Sequence, residues 1–178
     1  MLKHFQSQPW KLFVSARLLA ELHAQLHKHK APPELPTQKD WFRSRLARWR
    51  AATGASELAG AEDEKELAEL PEGETICHGD FHPENVLLTN GGPIIIDWDS
   101  ATRGHPLGDV ACTSFLFQKA KLPAWTPFHM HLLLKICRKL LHETYLKHYV
   151  KMCPGTRGAI EQFTKPLLKM HVLEPLRT

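Results

Sequence analysis

Apolar residues recur with a helical period over most of this chain and with a strand-like pattern over one short stretch only. Between residues 12 and 30, Leu12, Leu18, Leu19, Leu22 and Leu26 fall at helical spacing, with Glu21, Gln25 and Lys28 on other faces. That predicts an amphipathic helix stopped by Pro32-Pro33. Asp40 stands as the N-cap of a second helix, on which Phe42, Leu46 and Trp49 share a face and Arg43, Arg45, Arg48 and Arg50 form a solvated surface. Residues 56–70 turn acidic and alanine-rich, with an apolar edge of Leu58, Leu67 and Leu70: a surface helix or a partly helical connector, ended by Pro71-Glu72-Gly73.

Further on, Gly104-His105-Pro106-Leu107-Gly108 reads as a loop, and Asp109 opens, or lies in the first turn of, a helix carrying Val110, Ala111, Ser114, Phe115 and Phe117. Pro123 and Pro127 interrupt the chain. A long helix is expected from about His129 to Lys151 with Leu133, Ile136, Leu140 and Leu141 facing inward. A last one uses Ile160, Phe163, Leu167 and Met170, set off by Pro154-Gly155 and stopped by Pro175.

The exception to the helical period is the stretch from Ile76 to Asp99. Two apolar runs, Val86–Leu88 and Ile94–Ile96, flank Thr89-Asn90-Gly91-Gly92-Pro93, and Asn-Gly between apolar runs is a strong hairpin signal. The expected fold is therefore mainly α with a small β-hairpin (α+β), a single domain over residues 1–178, without internal repeats.

Composition narrows this little. Hydrophobic residues make up 43% and charged residues 24% of 178, ordinary for a globular protein, and the net charge of +4 suits anionic ligands such as nucleotides. It is weak evidence for nucleic acid, and neither a membrane span nor a signal peptide is read from the sequence. The four cysteines lack C-x-x-C spacing and read as reduced thiols of a cytoplasmic protein. His23 and His27 have the i, i+4 spacing of a metal pair, but no H-E-x-x-H pattern or third ligand accompanies them. They read as surface or packing histidines, as does His29.

Chemistry gathers at the hairpin. Folding it brings Asn85, just before the first run, beside Asp97, just after the second, and Asp80 lies five residues before Asn85 in the loop leading in. Amide and carboxylate oxygens are hard ligands suited to Mg²⁺, which keeps several waters and shares its shell with substrate phosphates. A further carboxylate held off the metal can orient a hydroxyl and accept its proton, and phosphoryl transfer needs mostly such positioning and charge neutralisation. The order His78-Gly79-Asp80-x-x-x-x-Asn85, hairpin, Asp97 follows the logic of the protein-kinase pattern H-R-D-x-x-x-x-N with its later metal-binding Asp.

His78-Gly79-Asp80-Phe81-His82-Pro83-Glu84-Asn85, Ile96-Asp97-Trp98-Asp99 and Asp109-Val110-Ala111 together resemble the motifs of the aminoglycoside phosphotransferase / choline kinase-like family. The helix around Leu19-Ala20-Glu21-Leu22-His23 resembles the first helix of that family's C-terminal lobe. The resemblance implies the C-terminal lobe of a protein-kinase-like fold, with a catalytic loop at 78–85 and a metal-binding hairpin at 86–99. It implies Asp80 as the catalytic base or hydroxyl-orienting residue, and Asn85 and Asp97 as holders of Mg²⁺ against the phosphates of ATP or GTP. His78 becomes loop-shaping, and Asp109 braces the loop from the following helix. His82 lies near the site, and Asp99 is a second-layer residue or a substrate contact. Glu84 stands where many members carry Gly. Phe81 and Trp98 read as packing residues.

The implied activity is transfer of a nucleotide γ-phosphoryl group to a small-molecule hydroxyl, its acceptor open among aminoglycoside, choline, amino-acid and sugar alcohols. A complete kinase-like enzyme also has a strand-rich lobe with a Gly-rich loop and a phosphate-pairing Lys, and no segment before His78 resembles one. The expectation is a truncated or weakly active form, with an exposed apolar face where that lobe or a second copy would pack. The alternative is a pseudoenzyme or interaction module that keeps the loop without catalysis. A metallophosphoesterase, suggested by Asp80-Phe81-His82, lacks downstream G-D-x-x-D or G-N-H partners.

Overall fold

A computed structural model describes residues 11–54, 56–119, 128–153 and 157–170. The expected breaks at Pro123, Pro127, Pro154-Gly155 and Pro175 fall outside the described residues, as do the side chains of Leu58 and Met170. Among the described residues there are six helices: α1 (Lys11–Leu26), α2 (Gln38–Thr53), α3 (Glu57–Glu69), α4 (Pro106–Lys119), α5 (Phe128–Met152) and α6 (Arg157–Met170). Four short strands lie between α3 and α4: β1 (Thr75–Cys77), β2 (Val86–Thr89), β3 (Gly92–Ile95) and β4 (Thr102–Gly104). The protein is mainly α with small antiparallel strand pairs, as its patterning predicts.

Helix α1 ends at Leu26, short of the expected residue 30, because the next residues turn to run beside β1: Ile76 N–H donates to His29 C=O and Ala31 N–H to Glu74 C=O. Ala16, Ala20 and Ala24 lie one turn apart on its buried face. Small side chains at that spacing let α5 approach closely. The N-cap of α2 is Thr37 rather than Asp40. Thr37 Oγ1 accepts the Asp40 N–H at 3.1 Å and donates to its carboxylate at 2.6 Å, a reciprocal cap across three residues. Of the arginine strip on α2, Arg43 pairs with Asp40 and Glu64 at the surface. Arg50 reaches the buried Asp63 of α3 at 2.7 Å. That pair ties the acidic segment to α2 and makes α3 a packed helix.

The hairpin forms as expected: β2 and β3 pair with Val86 opposite Ile95 and Thr89 opposite Gly92, leaving Asn90-Gly91 as the two-residue loop. A second pair, β1 with β4, is absent from the sequence reading, which held one. Its partners, such as Cys77 and Thr102, are far apart in sequence, and three-residue strands leave no periodic signature. Gln38, at the start of α2, is wedged against Gly104 and Gly108, where a Cβ would collide with its side chain. Its Oε1 accepts the His105 N–H at 3.2 Å.

One core joins the helices and the loop before β2: Leu19, Phe42, Leu46, Phe81, Val86, Val110, Tyr145, Tyr149, Ile160, Phe163 and Leu167 belong to it. In α6 the expected inward residues Ile160, Phe163 and Leu167 are buried. In α5 they are not: Leu133 (56%), Ile136 (47%) and Leu140 (43%) are exposed, and of the expected four only Leu141 is buried. The buried stripe of α5 runs through Leu141, Tyr145, Leu146 and Tyr149, because α1 takes that face. Both faces of α5 are apolar enough to satisfy a helical period, so phase alone does not select one. Among the described residues no helix is long and apolar enough to cross a membrane.

Phe163 is 1% exposed and stacks on His105, ring centroids 5.6 Å apart, so it joins α6 to the loop before α4. Phe163→Ala is expected to lower unfolding stability by about 3–5 kcal/mol, checked by urea denaturation; a loss below about 1 kcal/mol contradicts this account of the core.

Candidate active site

Strand β1 delivers the chain into the loop that holds most of the polar residues singled out above. Gly79 has φ +78, and a Cβ there would strike the backbone oxygen of Ser100, so the turn requires glycine. Past it, His78 is buried and reaches both ways: its Nδ1 accepts the Asp80 N–H at 3.3 Å, and its Nε2 faces the Ile96 C=O at 3.0 Å. The first contact makes Nδ1 an acceptor, so Nε2 carries the proton and donates. One neutral imidazole thereby ties the loop to the exit of the hairpin.

His82 caps the short 3₁₀ turn Pro83–Asn85 by accepting the Glu84 N–H on Nδ1 at 3.3 Å. Its Nε2 lies 3.6 Å from Asp80 Oδ2. Asn85 is buried, and its Nδ2 donates to the Asp80 backbone oxygen at 2.9 Å and to Asp80 Oδ2 at 3.3 Å. Partial burial would raise the Asp80 carboxyl, but His82, then His78 and Asn85, hold it below the usual carboxylate range. Asp80 is therefore an anion, half-shielded and already oriented.

Asp97 follows the hairpin. Ile96 N–H donates to Asn85 C=O at 3.0 Å, one step beyond the Val86–Ile95 pair, so the backbones of Asn85 and Asp97 lie side by side. Asp97 is exposed and adopts φ 63, the left-handed conformation that Asp tolerates better than most residues. Among the described residues it alone, glycines aside, has a positive φ. Such strain persists where the surroundings over-determine it, commonly at sites of chemistry. Asp99 is exposed in the turn that follows, and Trp98 donates its Nε1–H to Ile95 C=O at 3.1 Å. The structure thus gathers Asp80, His82, Asn85 and Asp97 at one end of the hairpin.

The donor set fits a hard divalent cation. With Asn85 Nδ2 committed to Asp80, the amide oxygen is the atom left for a ligand, and Asp97, whose backbone runs alongside, carries an exposed carboxylate.

Beneath the loop lies Asp109, in the first turn of α4 and fully buried. Its Oδ2 accepts the His78 N–H at 2.5 Å and its Oδ1 the Gly79 N–H at 2.8 Å. Two histidines join it: His23 Nε2 at 3.0 Å and His27 Nε2 at 3.2 Å from Oδ2. Their other nitrogens meet tyrosine hydroxyls of α5, His23 Nδ1 with Tyr145 and His27 Nδ1 with Tyr149, both at 2.7 Å. An ionised carboxylate only accepts, so both Nε2 atoms donate, both Nδ1 atoms accept, and both tyrosines donate. Burial would raise Asp109, but His23 and His27 hold it well below the carboxylate range. Burial, aided by His27 and opposed by Asp109, brings His23 down to about 4, so His23 sits neutral beside the Asp109 anion.

Of the reading of His23 and His27 as surface or packing histidines, the packing half holds and the surface half is corrected. They are enclosed, hydrogen-bonded groups under the loop, and the third partner sought in sequence is Asp109; His29 alone is exposed. The three ligand-type atoms lie within 4.8 Å of one another, a set able to hold a metal, yet each already has its hydrogen bond and the network closes without a cation. Tyr145 and Tyr149 went unnoticed in the sequence. Their four-residue spacing, matching that of His23 and His27, was the available signal. A cavity of about 800 Å³ opens beside His27, lined also by Glu21, Gln25, Lys28, His105 and Cys153, and by none of Asp80, Asn85 or Asp97.

No curated protein matches the chain. The profile of the phosphotransferase enzyme family matches residues 11–138, from the start of α1 into α5 and across every residue of the loop and hairpin. With the match extending over most of its length, the chain belongs to the phosphotransferase enzyme family.

Proposed function

We propose that this phosphotransferase moves the γ-phosphoryl group of ATP or GTP onto a hydroxyl of a small molecule, with Asp80 orienting that hydroxyl and accepting its proton. The single observation that carries the reading is the oriented Asp80 carboxylate, fixed by Asn85 and flanked by His82, at the mouth of the hairpin. In the transfer the hydroxyl oxygen bonds to the γ-phosphorus as the bond to the β–γ bridging oxygen breaks, and the hydroxyl proton passes to Asp80. Asn85 and Asp97 are the residues we assign to Mg²⁺, which supplies charge neutralisation to the phosphates. His78 and Asp109 are assigned to loop support, and Asp99 to a place near the acceptor. On this reading the helices and the hairpin act as a kinase-like C-terminal lobe.

A second reading, an interaction module without catalysis, is favoured by one feature. Phe13 and Val14 on α1 and Leu132, Leu133, Ile136 and Leu140 on α5 are exposed at the same end of the α1–α5 pair. Exposed apolar side chains of this kind suit a protein partner or a second copy.

The two readings separate by assay. With labelled ATP and a panel of small alcohols, the chain is expected to transfer phosphoryl groups below the ordinary kinase range of about 1–100 per second, because among the described residues no strand carries a lysine to pair with the phosphates. Asp80→Asn is expected to remove about 10²–10⁴-fold of whatever transfer is measured, with an unchanged circular-dichroism spectrum. Undiminished transfer overturns the Asp80 assignment, and no transfer with any donor or acceptor favours the module. Independently of turnover, Asp97→Asn is expected to weaken Mn²⁺ binding about tenfold or more by paramagnetic titration, since one charged ligand is lost; an unchanged affinity removes Asp97 from the metal site.

A further inference from the structure

The brace under the catalytic loop contains more groups than Asp109 needs to hold two backbone amides. His23 and His27 stand one turn apart on α1, and Tyr145 and Tyr149 stand one turn apart on α5. The hydrogen bonds join His23 to Tyr145 and His27 to Tyr149, a constant offset of 122 residues, so the two helices run parallel and in register here. Each rung continues through imidazole to Asp109 Oδ2, and Asp109 continues to the N–H groups of His78 and Gly79. A second route leaves the same rungs. The His23 ring stacks on Phe81, centroids 4.2 Å apart, and Phe81 is the residue next to Asp80.

We propose that His23 and His27 are positioning residues of the phosphoryl-transfer site, setting where the His78–Asp80 backbone is held through Asp109 and Phe81. The proposal rests on the reading of Asp80 above for its functional meaning, while the brace itself stands on geometry. A single carboxylate bound only to two amides can pivot about its Cβ–Cγ bond. Two further donors arriving at Oδ2 from one helix face remove that freedom, and the tyrosines remove the rotation of the imidazoles in turn. Histidine suits both positions because a neutral imidazole accepts from a hydroxyl on one edge and donates to a carboxylate on the other. Leucine at the same place keeps the packing and loses both bonds. Glutamine keeps an acceptor and a donor.

The test uses the full 178-residue chain and reads amide hydrogen exchange at His78 and Gly79, the two N–H groups that Asp109 holds. His27→Leu is expected to speed exchange at these two amides about tenfold or more, as loss of a hydrogen bond to a charged group implies, with much smaller changes in α2 and α6. His27→Gln is expected to return exchange to within about threefold of the parent, the rescue that a packing role does not give. Exchange unchanged in His27→Leu overturns the proposal. So does a rise spread equally over the loop, α2 and α6 that glutamine fails to reverse. Should His27→Leu not fold, Tyr149→Phe removes only the hydroxyl of one rung. The same localised, smaller rise then supports the proposal, and a uniform rise or none overturns it. The readout needs no turnover, so an inactive parent chain argues against the phosphotransfer reading while leaving the brace to be judged on exchange.

Discussion

A buried carboxylate is expensive unless donors surround it, and Asp109 gathers four, three on Oδ2 and one on Oδ1. It accepts two backbone amides from the loop after β1 and two imidazoles from α1, and the imidazoles are held by hydroxyls from α5. Three helices and the loop after β1 therefore converge on one side chain. Removing the charge would strand four donors in a water-free interior, so the anion and its neighbours are stable only together. The parallel register of α1 and α5 follows from this as much as from their apolar contacts.

The hairpin supplies the other half of the site by a different kind of constraint. Its two-residue turn sets the register, the register brings Asn85 next to Ile96, and the chain then leaves through Asp97 in a left-handed conformation. His78 links this half to the first, taking its position from the Asp109 brace and handing a hydrogen bond to Ile96. Asp80 and Asp97 thus belong to two pieces of backbone that His78 and Asn85 join. Membership of the phosphotransferase enzyme family agrees with an arrangement whose only demand on the protein is to hold oxygens in place.

Legibility differed from element to element. The helices, the Asn-Gly hairpin and the cluster of Asp80, Asn85 and Asp97 could be read because each is encoded within a dozen or so residues, by period, turn chemistry or spacing. The β1–β4 pair could not, since three-residue strands separated by a hairpin carry no local mark. The buried face of α5 was misassigned because Leu133, Ile136 and Leu140 satisfy the same period as Leu141 and Tyr145. His23 and His27 were set aside for want of a third partner, and that partner lay more than eighty residues away.

By itself, then, the sequence determined the helical class, the hairpin and the gathering of Asp80, Asn85 and Asp97 around it, all of them short-range consequences of side-chain size, turn preference and charge. Only the tertiary structure decided which face of α5 is inside, that Asp63 pairs with Arg50, and that His23 and His27 stand under the loop after β1. Those outcomes depend on which distant groups must satisfy one another once water is excluded. A donor and its acceptor on separate elements leave no periodic trace along the chain.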